Sequence, residues 1–392
     1  MGEVAARQAA SPQGTLSRMG LSHALPQTAL TLRGAFAGAA AMLRQAGVPT
    51  PELDARLLIC HAAGVSHESY VARPDWELAP DAAAQLRRCI ERRLDGEPVS
   101  RILGQREFWG SAFLVDRHTL DPRPDTETLI EVALGLVASQ GLRVQPLRLL
   151  DLGTGTGCIL LTLLAELPNA TGVGTDRSVP ALALASANAR RLGVDDRAAF
   201  LAGDWLEPVS GSFDLILANP PYVATGEIGR LPREVGAYDP WGALDGGTDG
   251  LDAYRRIAGG VRRALRPGGA ILLEVGAEQA DRVLSLLREA GLAIDGKACM
   301  WRDLGGRPRV VAAREGAACL PAQMVASQKK GAWKITMFGI GSSTAEGSFS
   351  AVDAKIARGR LQAATRADIS CISMKGGVPL GTFRRRSTAH LS

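Results

Sequence analysis

Apolar residues recur at helical spacing in the first hundred residues of the chain. The stretch "LRGAFAGAAAMLRQAG" ends at Gly47, while "PELDARLLICHAAG" begins with Pro51 and ends at Gly64. A third amphipathic stretch, "PDAAAQLRRCIERRLDG", follows. Proline is favoured in the first turn of a helix, and glycine directly after its last turn. The pattern therefore predicts three or four short helices packed as a small bundle.

From Val144 the pattern changes to short apolar runs that alternate with helices. The predicted strands are "LRLLDLG", "TGVGTD", "AAFLAGD", "FDLILA" and "GGAILLEVG", and the predicted helices between or after them are "CILLTLLAEL", "VPALALASANARRLG" and "EQADRVLSLLREAG". Such alternation is typical of a largely parallel sheet with helices on both faces. It predicts a Rossmann-like α/β domain. The segment "LAIDGKACMWRDLGGRPRVVAAR" predicts two β segments around a Gly-Gly turn, as an antiparallel hairpin at the sheet edge.

These patterns divide the chain into five parts. We predict a disordered N-terminus (1–28), a helical domain (29–96), a linker and β-hairpin (97–143), the α/β domain (144–315) and a basic, disordered tail (316–392). The tail shows no sustained periodicity, so we assign it no fold.

The charge of the chain is unevenly distributed. The net charge is +5, but 11 of the 45 Lys and Arg residues and only 3 of the 40 Asp and Glu residues lie in 316–392. The rest of the chain carries 34 basic and 37 acidic residues and is slightly acidic. A nucleic-acid-binding domain would show clustered basic surface, so we expect no stable nucleic-acid binding.

Cysteine and hydropathy patterns favour a cytoplasmic protein. The 6 cysteines form no C-x-x-C pair and no cluster with histidine, so we expect neither a disulfide framework nor a metal site. No run approaches the roughly 18–20 apolar residues that span a bilayer, and the N-terminus lacks the apolar core of a signal peptide.

A glycine-rich loop follows the first strand of the α/β domain. In "DLGTGTG", glycines allow the backbone to approach a ligand at the edge of the sheet. Asp176 ends the next strand, where a carboxylate can accept both hydroxyls of a ribose. The dinucleotide motif G-x-G-x-x-G does not fit, because Cys158 occupies its third glycine position. Loop and acid indicate an adenosine-type cofactor but leave nicotinamide and S-adenosylmethionine both open; the candidate residues are Asp151, Gly153, Thr154, Gly155, Thr156, Gly157 and Asp176.

Two further candidates follow the third strand. Asp204 could bind the amino group of an adenine, and the indole of Trp205 could lie on its face. Packing in the core is an equally good interpretation of the indole.

The motif "NPPY" follows the fourth strand, where the strand order of such a sheet reverses and a ligand crevice opens. A planar nitrogen is a poor nucleophile, so its methylation requires acceptors that hold its N–H groups. Asn219 offers a side-chain carbonyl, Pro220 a backbone carbonyl on a rigid support, and Tyr222 an aromatic face. No titrating base is needed, because positioning and electrostatics supply the catalysis. A strand-ending turn without function is the alternative. Together with the glycine loop and Asp176, the motif indicates an S-adenosylmethionine-dependent methyltransferase acting on a planar nitrogen.

With "DLGTGTG", "GDW" and "NPPY" in this order, the chain resembles the HemK/PrmC family of release factor glutamine N5-methyltransferases. The resemblance extends to "PVSRILGQREFWG" and "LDPRPDTETLIE", which look like the linker and pre-sheet hairpin of the family, and to "DPWGALDGGTDGLDAYRRI". Asp121 departs from the apolar residue usual in L-I-P-R-P-D-T-E. The resemblance covers about residues 30–314 and implies a class I S-adenosylmethionine-dependent methyltransferase fold behind a small helical domain.

The resemblance also implies the substrate and the site residues. The substrate would be the glutamine of the Gly-Gly-Gln loop in class I peptide chain release factors, and residues 29–96 would recognise the release factor. The resemblance places the loop, Asp176, Trp205 and Asn219 at S-adenosyl-L-methionine and Phe108 at the substrate entrance; the carboxamide would be held by Asn219, Pro220, Pro221 and Tyr222.

Three other functions share parts of this pattern. A glutamine methyltransferase of a ribosomal protein would carry the same motifs. A DNA adenine or rRNA guanine methyltransferase would need a basic cleft, because the base must leave its stack, and the slightly acidic body disfavours it. A non-catalytic binding module would have no need of the acceptors in "NPPY". For the tail, a basic extension that touches rRNA and an unselected or frame-shifted extension both remain open.

Overall fold

The computed structural model describes residues 30–294 and 299–316, and the backbone of three strands within 323–347. The predictions for 1–28 and for the remainder of the tail lie outside the described residues. The helical domain begins with α1 (Leu32–Gln45), α2 (Pro51–Ala63), α3 (His67–Ala72) and α4 (Pro80–Leu94). Gly47, Gly64 and Gly96 follow α1, α2 and α4 with positive φ, which confirms the predicted helix ends.

The segment after the bundle contains α5 (Val99–Leu103), a two-stranded hairpin of β1 (Gln105–Phe108) and β2 (Ser111–Leu114), and a 3₁₀ turn at Pro124–Thr126. The turn runs directly into α6 (Glu127–Ser139), whose buried face belongs to the core of the α/β domain. The hairpin expected in 97–143 is confirmed, but it lies in 105–114. The stretch "LDPRPDTETLIE" instead supplies the turn and the beginning of a helix, because the apolar residues of α6 recur every three or four positions.

The α/β domain contains one seven-stranded sheet. Its strands lie in the order β5-β4-β3-β6-β7-β9-β8. The first five strands of that order are parallel, and β9 is antiparallel to both β7 and β8. The strands are β3 (Arg148–Leu152), β4 (Thr171–Asp176), β5 (Ala198–Ala202), β6 (Phe213–Ala218), β7 (Leu265–Glu274), β8 (Met300–Arg302) and β9 (Pro308–Arg314). The predicted parallel sheet and the predicted edge hairpin, formed by β8 and β9, are both confirmed.

Helices cover both faces of this sheet. The helices are α7 (Cys158–Glu166), α8 (Val179–Leu192), α9 (Arg233–Gly236), α10 (Trp241–Leu244), α11 (Asp252–Ala264) and α12 (Ala280–Glu289), with a 3₁₀ helix at Thr225–Arg230. Alternate residues of a strand point to opposite faces. In β6, Leu215 and Leu217 therefore pack with α6 and α7, whereas Ile216 and Ala218 pack with α11 and α12.

The register of the sheet aligns the carboxyl ends of its parallel strands. Leu152 pairs with Thr175 on one side and with Ala218 on the other, and Ala218 pairs with Leu273. The residues that come next in each strand or loop (Asp176, Gly153, Asn219 and Glu274) therefore lie in one row across the edge of the sheet. The strand order reverses between β3 and β6, which is the position where ligands bind in open α/β sheets.

Ion pairs of two buried arginines join the helical domain and α5 to the segment that follows "NPPY". Arg93 of α4 lies 2.7 Å from Asp54 of α2 and 2.5 Å from Glu234 of α9. Arg101 of α5 lies 2.8 Å from Asp239. The guanidinium groups are almost fully buried, so removing either partner would leave an uncompensated charge. These contacts fix the helical domain against the target side of the site.

A separate compact unit contains β10 (Gln323–Lys329), β11 (Ala332–Phe338) and β12 (Ser343–Gly347). The three strands form an antiparallel sheet in the order β10-β11-β12. The prediction of a disordered tail without fold therefore differs from the structure at these strands. In β11, the apolar residues Trp333, Ile335 and Met337 alternate with Lys334 and Thr336, a period of two that favours a strand over these seven residues.

Candidate active site

The glycine loop turns sharply between β3 and α7. Gly153, Gly155 and Gly157 all have positive φ, a conformation that favours glycine. A Cβ atom at Gly155 would meet no atom within 4 Å, whereas one at Gly157 would lie 2.8 Å from the side chain of Leu161. The loop therefore presents open backbone at Gly155 and packs closely against its own helix at Gly157. This is the cradle that the sequence predicts.

The carboxylate of Asp176 is held by backbone amides at the end of β4. Its Oδ2 accepts a hydrogen bond from Gly155 N at 2.9 Å, and its Oδ1 accepts one from Ser178 N at 2.8 Å. The side chain remains partly exposed. Each carboxylate oxygen has a further lone pair, so the group can still accept the two hydroxyls of a ribose.

Asp151 lies at the base of the loop and is fully buried. Its Oδ2 accepts a hydrogen bond from the Thr154 hydroxyl at 2.6 Å, and its Oδ1 has no hydrogen-bond partner among the described residues. Burial raises the pKa of Asp151 to about 7, against the opposing effect of the Thr154 hydrogen bond. An orphaned buried carboxylate oxygen is suited to a cationic ligand.

Trp205 is held in a strained conformation beside the loop. Its φ is 50°, and its backbone carbonyl accepts a hydrogen bond from the Thr175 hydroxyl at 3.0 Å. A Cβ atom at Gly153 would lie 3.2 Å from the indole ring, so the ring lies directly against the glycine loop. A bulky residue in this region of φ is rare and is associated with functional sites. The structure therefore places Trp205 at the predicted cofactor edge, partly packed on the core below.

Asp204 has a partner that the sequence does not suggest. Its carboxylate forms an ion pair with Arg256 of α11, and its side chain is 27% exposed. Asp204 lies at the predicted edge, but an adenine amino group would share the carboxylate with this guanidinium.

The four residues of "NPPY" leave β6 at the centre of the row. Asn219 is partly buried, and its Nδ2 donates a hydrogen bond to the Thr126 hydroxyl at 3.1 Å. Pro220 is buried, and Pro221 is partly buried. The backbone carbonyl of Tyr222 accepts a hydrogen bond from Gln279 Nε2 at 2.9 Å, and burial raises the pKa of its phenol. The motif is thus rigid both in its own backbone and in its contacts.

The segment "DGGTDG" packs directly on this motif. A Cβ atom at Gly246 would lie 2.8 Å from the Pro221 carbonyl oxygen, and one at Gly250 would lie 2.5 Å from the Tyr222 carbonyl oxygen. Gly246 N also donates a backbone hydrogen bond to Val223 O at 2.8 Å. Only glycine permits this approach, which explains why these residues accompany "NPPY" in the sequence.

One predicted site residue lies elsewhere. Phe108 is 1% exposed and packs with its ring edge-on to Phe113, within the core beneath α6 and α7. The expectation that Phe108 lines a substrate entrance therefore differs from the structure. Phe108 ends a hairpin strand whose inward face the α/β domain covers, and the motif gave no indication of that burial.

Two residues of the site were missed by the sequence analysis. Thr126, in the 3₁₀ turn, is 2% exposed, and Glu274, at the end of β7, is 1% exposed. The Thr126 hydroxyl and the Asn219 amide act on the Glu274 carboxyl and lower its pKa, but burial dominates and raises it to about 7, and the Oε2 of Glu274 has no hydrogen-bond partner among the described residues. A charged residue at the end of "ILLE" was the one available signal, because an acid at the end of a buried strand requires a partner or a role.

The site fits a cofactor that combines an adenosine with a cationic chain. Asp176 can hold a ribose, Trp205 offers an aromatic face, and the orphaned Oδ1 of Asp151 suits a positive charge. Among residues 30–294 and 299–316, no group of three or more His, Cys, Asp or Glu side chains could hold a metal ion. None of the helices in these ranges is long and apolar enough to cross a membrane.

Comparison with known proteins identifies relatives over most of the chain. Residues 35–104 match the model of the PrmC N-terminal domain, and residues 145–299 match a methyltransferase domain. A curated protein of Bradyrhizobium diazoefficiens named release factor glutamine methyltransferase is 46% identical, over 74% of this chain and 97% of its own length. Proteins of the same name from Cereibacter sphaeroides (46% identical, 72% of this chain, 98% of theirs) and Deinococcus radiodurans (40%, 73% and 99%) also match.

Proposed function

The chain belongs to the release factor glutamine methyltransferase family, and we propose that it transfers a methyl group from S-adenosyl-L-methionine to the side-chain N5 of the glutamine in the Gly-Gly-Gln motif of class I peptide chain release factors. One observation carries this proposal at the level of the site. The sheet register places the glycine loop, Asp176 and Asn219 in one row, so a cofactor site and a planar-nitrogen site share an edge.

The residues of this row divide the work between cofactor and target. When bound, S-adenosyl-L-methionine supplies an electrophilic methyl group. Asp176 would hold its ribose, the Gly153–Gly157 loop its amino-acid part, and Trp205 its adenine. The bound cofactor and the target nitrogen would then lie close together in the row, because β3 and β6 are neighbouring strands.

The target side acts on the nitrogen by orientation. The Asn219 Oδ1 and the Pro220 carbonyl would accept the two N–H groups of the glutamine carboxamide, which keeps electron density on the nitrogen. Tyr222 would lie on the face of the planar amide. The proton leaves after the new N–C bond has formed, so no strong base is required, and preorganised acceptors supply the rate enhancement.

The partner is proposed from the helical domain and from charge. A tripeptide offers little surface, so the remaining affinity would come from residues 29–96, which the ion pair of the buried Arg93 with Glu234 joins to the target side. The slightly acidic body supports a protein substrate and no stable nucleic-acid binding. Because its substrate is a translation factor, we place the enzyme in the cytoplasm.

A labelling experiment tests the proposal. The full chain is incubated with methyl-labelled S-adenosyl-L-methionine and, separately, with a class I release factor, total ribosomal proteins and duplex DNA. We expect label on the release factor and none when the glutamine of its Gly-Gly-Gln motif is replaced by alanine. Label on a ribosomal protein or on DNA, without label on the release factor, would overturn the proposal.

A further inference from the structure

Three side chains meet behind the target face of the site. Asn219 follows β6, Glu274 ends β7, and Thr126 arrives from the 3₁₀ turn before α6. Asn219 Nδ2 donates to the Thr126 hydroxyl oxygen at 3.1 Å, both side chains lower the pKa of the Glu274 carboxyl, and the Oε2 of Glu274 has no hydrogen-bond partner among the described residues. Thr126 and Glu274 are almost fully buried, whereas Asn219 is partly open. Only the asparagine can therefore reach a substrate.

The hydrogen-bond donors and acceptors of this cluster determine how the side-chain amide of Asn219 is oriented. The Asn219 nitrogen has two protons; one is donated to the Thr126 hydroxyl, and the neighbouring Glu274 carboxyl, whose Oε2 has no partner among the described residues, is an available acceptor for the other. The Thr126 hydroxyl accepts from Asn219 and keeps its own proton to donate to the carboxylate. If the amide were flipped, Oδ1 would face a carboxylate and both would be acceptors, which costs free energy in a buried site. The cluster thus favours one orientation, with the carbonyl turned away from Glu274.

The turn that carries Thr126 is itself anchored. Asp125 Oδ2 lies 2.9 Å from Arg309 Nη2 of β9, and that guanidinium also lies 3.2 Å from Asp303. Strand β9 pairs with β7 through Val310 and Glu274, so Arg309 is adjacent to Glu274 in the ladder. The turn that carries Thr126 is therefore tied, through Asp125, to the strand that pairs with Glu274.

We propose that Thr126 and Glu274 are positioning residues that lock the side-chain amide of Asn219, with its nitrogen toward them and its carbonyl toward the target nitrogen. This inference rests on the proposed function, because it assigns a use to the carbonyl of Asn219. Neither residue touches the substrate. Both act through the orientation of one amide, so their loss lowers kcat and leaves the binding of cofactor and release factor almost unchanged.

The fixed orientation of the Asn219 side-chain amide can be measured without any substrate. The chain contains three asparagines, Asn169, Asn188 and Asn219, so selective nitrogen-15 labelling gives three side-chain amide signals. Asn188 is buried and donates to Leu114 O and Thr156 O, which makes it a slowly exchanging reference. The side-chain hydrogen bond of Asn169 is exposed, so its amide protons serve as a rapidly exchanging reference. The Asn219→Ala variant identifies the third signal.

We expect Thr126→Val to speed solvent exchange of the Asn219 amide protons about tenfold relative to Asn188, as the loss of one hydrogen bond implies. Thr126→Ser, which keeps the hydroxyl, should restore slow exchange. Thr162→Val is the matched control, because Thr162 is a buried threonine whose hydroxyl has no partner among the described residues. It should change nothing.

Kinetics on the release factor give the second measurement. Thr126→Val should lower kcat about tenfold or more with KM little changed, and Thr126→Ser should recover most of kcat. The inference would be overturned if Thr126→Val and Glu274→Gln both had the kcat of the wild type. It would also be overturned if the Asn219 amide protons exchanged as slowly in both variants as in the wild type.

Titration of Glu274 gives a readout that a purely structural role would not show. The groups around it are Asp125, Cys158, Tyr222, Tyr254 and Arg309. Burial raises the pKa of Glu274 to about 7, so the locking carboxylate forms as pH rises through that value. The kcat of the wild type should rise over this range, and Glu274→Gln should lose this dependence. The charged form is the one that burial disfavours, so Glu274→Gln should raise the thermal midpoint at pH 8 relative to wild type while lowering kcat.

The outcomes separate this inference from the proposed function. A locked Asn219 amide in a wild-type enzyme that does not label the release factor would contradict the proposed function alone. Normal labelling by the wild type, with an unlocked amide or with both Thr126→Val and Glu274→Gln fully active, would contradict the inference alone. A lower thermal midpoint for Glu274→Gln at pH 8, with kcat and KM both unchanged, would show that Glu274 only supports the fold.

Discussion

The cofactor side and the target side of the sheet edge are built in different ways. On the cofactor side, the carboxylate of Asp176 is held by the backbone amides of Gly155, in the loop after β3, and of Ser178, two residues after Asp176 itself. On the target side, the amide of Asn219 is held by side chains, and its partner Thr126 lies 93 residues away in sequence. A backbone-built site is local in sequence, whereas a side-chain-built site depends on the assembled fold.

The largest effect should come from the target side. Asn219→Ala removes one of the two acceptors for the target amide, and we expect kcat on the release factor to fall by about a thousandfold, as when an oxyanion-hole donor is lost. Cofactor affinity, measured by calorimetry with S-adenosylhomocysteine, should stay within about twofold of wild type.

Asn169→Ala is the matched control, because Asn169 lies at the surface and donates to Val144 O. It should leave both quantities unchanged. Equal losses of kcat and cofactor affinity in Asn219→Ala would contradict the assignment of separate roles to the two sides.

A smaller effect, on cofactor affinity and not on kcat, should come from the cofactor side. Asp176→Ala removes the acceptor proposed for the ribose hydroxyls, and we expect cofactor affinity to fall by about a hundredfold, as for two hydrogen bonds to a charged group. With saturating cofactor, kcat should recover most of its wild-type value. Isothermal titration with adenosine and with S-adenosylhomocysteine measures the effect.

Asp196→Ala serves as its control, because the Asp196 side chain is 78% exposed and forms only a long ion pair with Arg197. Adenosine should lose as much affinity as S-adenosylhomocysteine in Asp176→Ala, since both carry the ribose. A variant that bound adenosine normally would place the ribose elsewhere.

The same contrast explains how much of the site could be predicted from the sequence. Gly153, Asp176 and Asn219 lie at the ends of strands that the apolar pattern marks, so their arrival at one edge follows from a parallel sheet. The parallel arrangement of the strands follows from the alternation of short apolar runs with helices, whereas their order in the sheet does not. The positions of the backbone-built side could therefore be predicted from the sequence, and their role in cofactor binding stays a prediction.

The supports of the target side could not be predicted in this way. Thr126 lies in a 3₁₀ turn far from β6 along the chain, and Glu274 differs from other strand residues only by its charge. The strained φ of Trp205 also has no sequence signature, because it follows from the contact of its carbonyl with Thr175. The helix α6 and the burial of Phe108 depend on how the linker packs on the sheet, which periodicity alone does not specify.

The smallest predicted effect is a pH dependence that belongs to the cofactor side alone. Burial raises the pKa of Asp151 to about 7, so this carboxyl is protonated below that pH and charged above it. S-adenosyl-L-methionine carries a sulfonium and an ammonium group, which the charged form favours. Its affinity should therefore weaken about tenfold as pH falls from 8 to 6, in proportion to the loss of carboxylate. Adenosine lacks the cationic chain and should show no such dependence, and Asp151→Asn should flatten the curve for the full cofactor. An equal pH dependence for adenosine would mean that Asp151 affects ligand binding through the loop as a whole and not through the charge of the ligand.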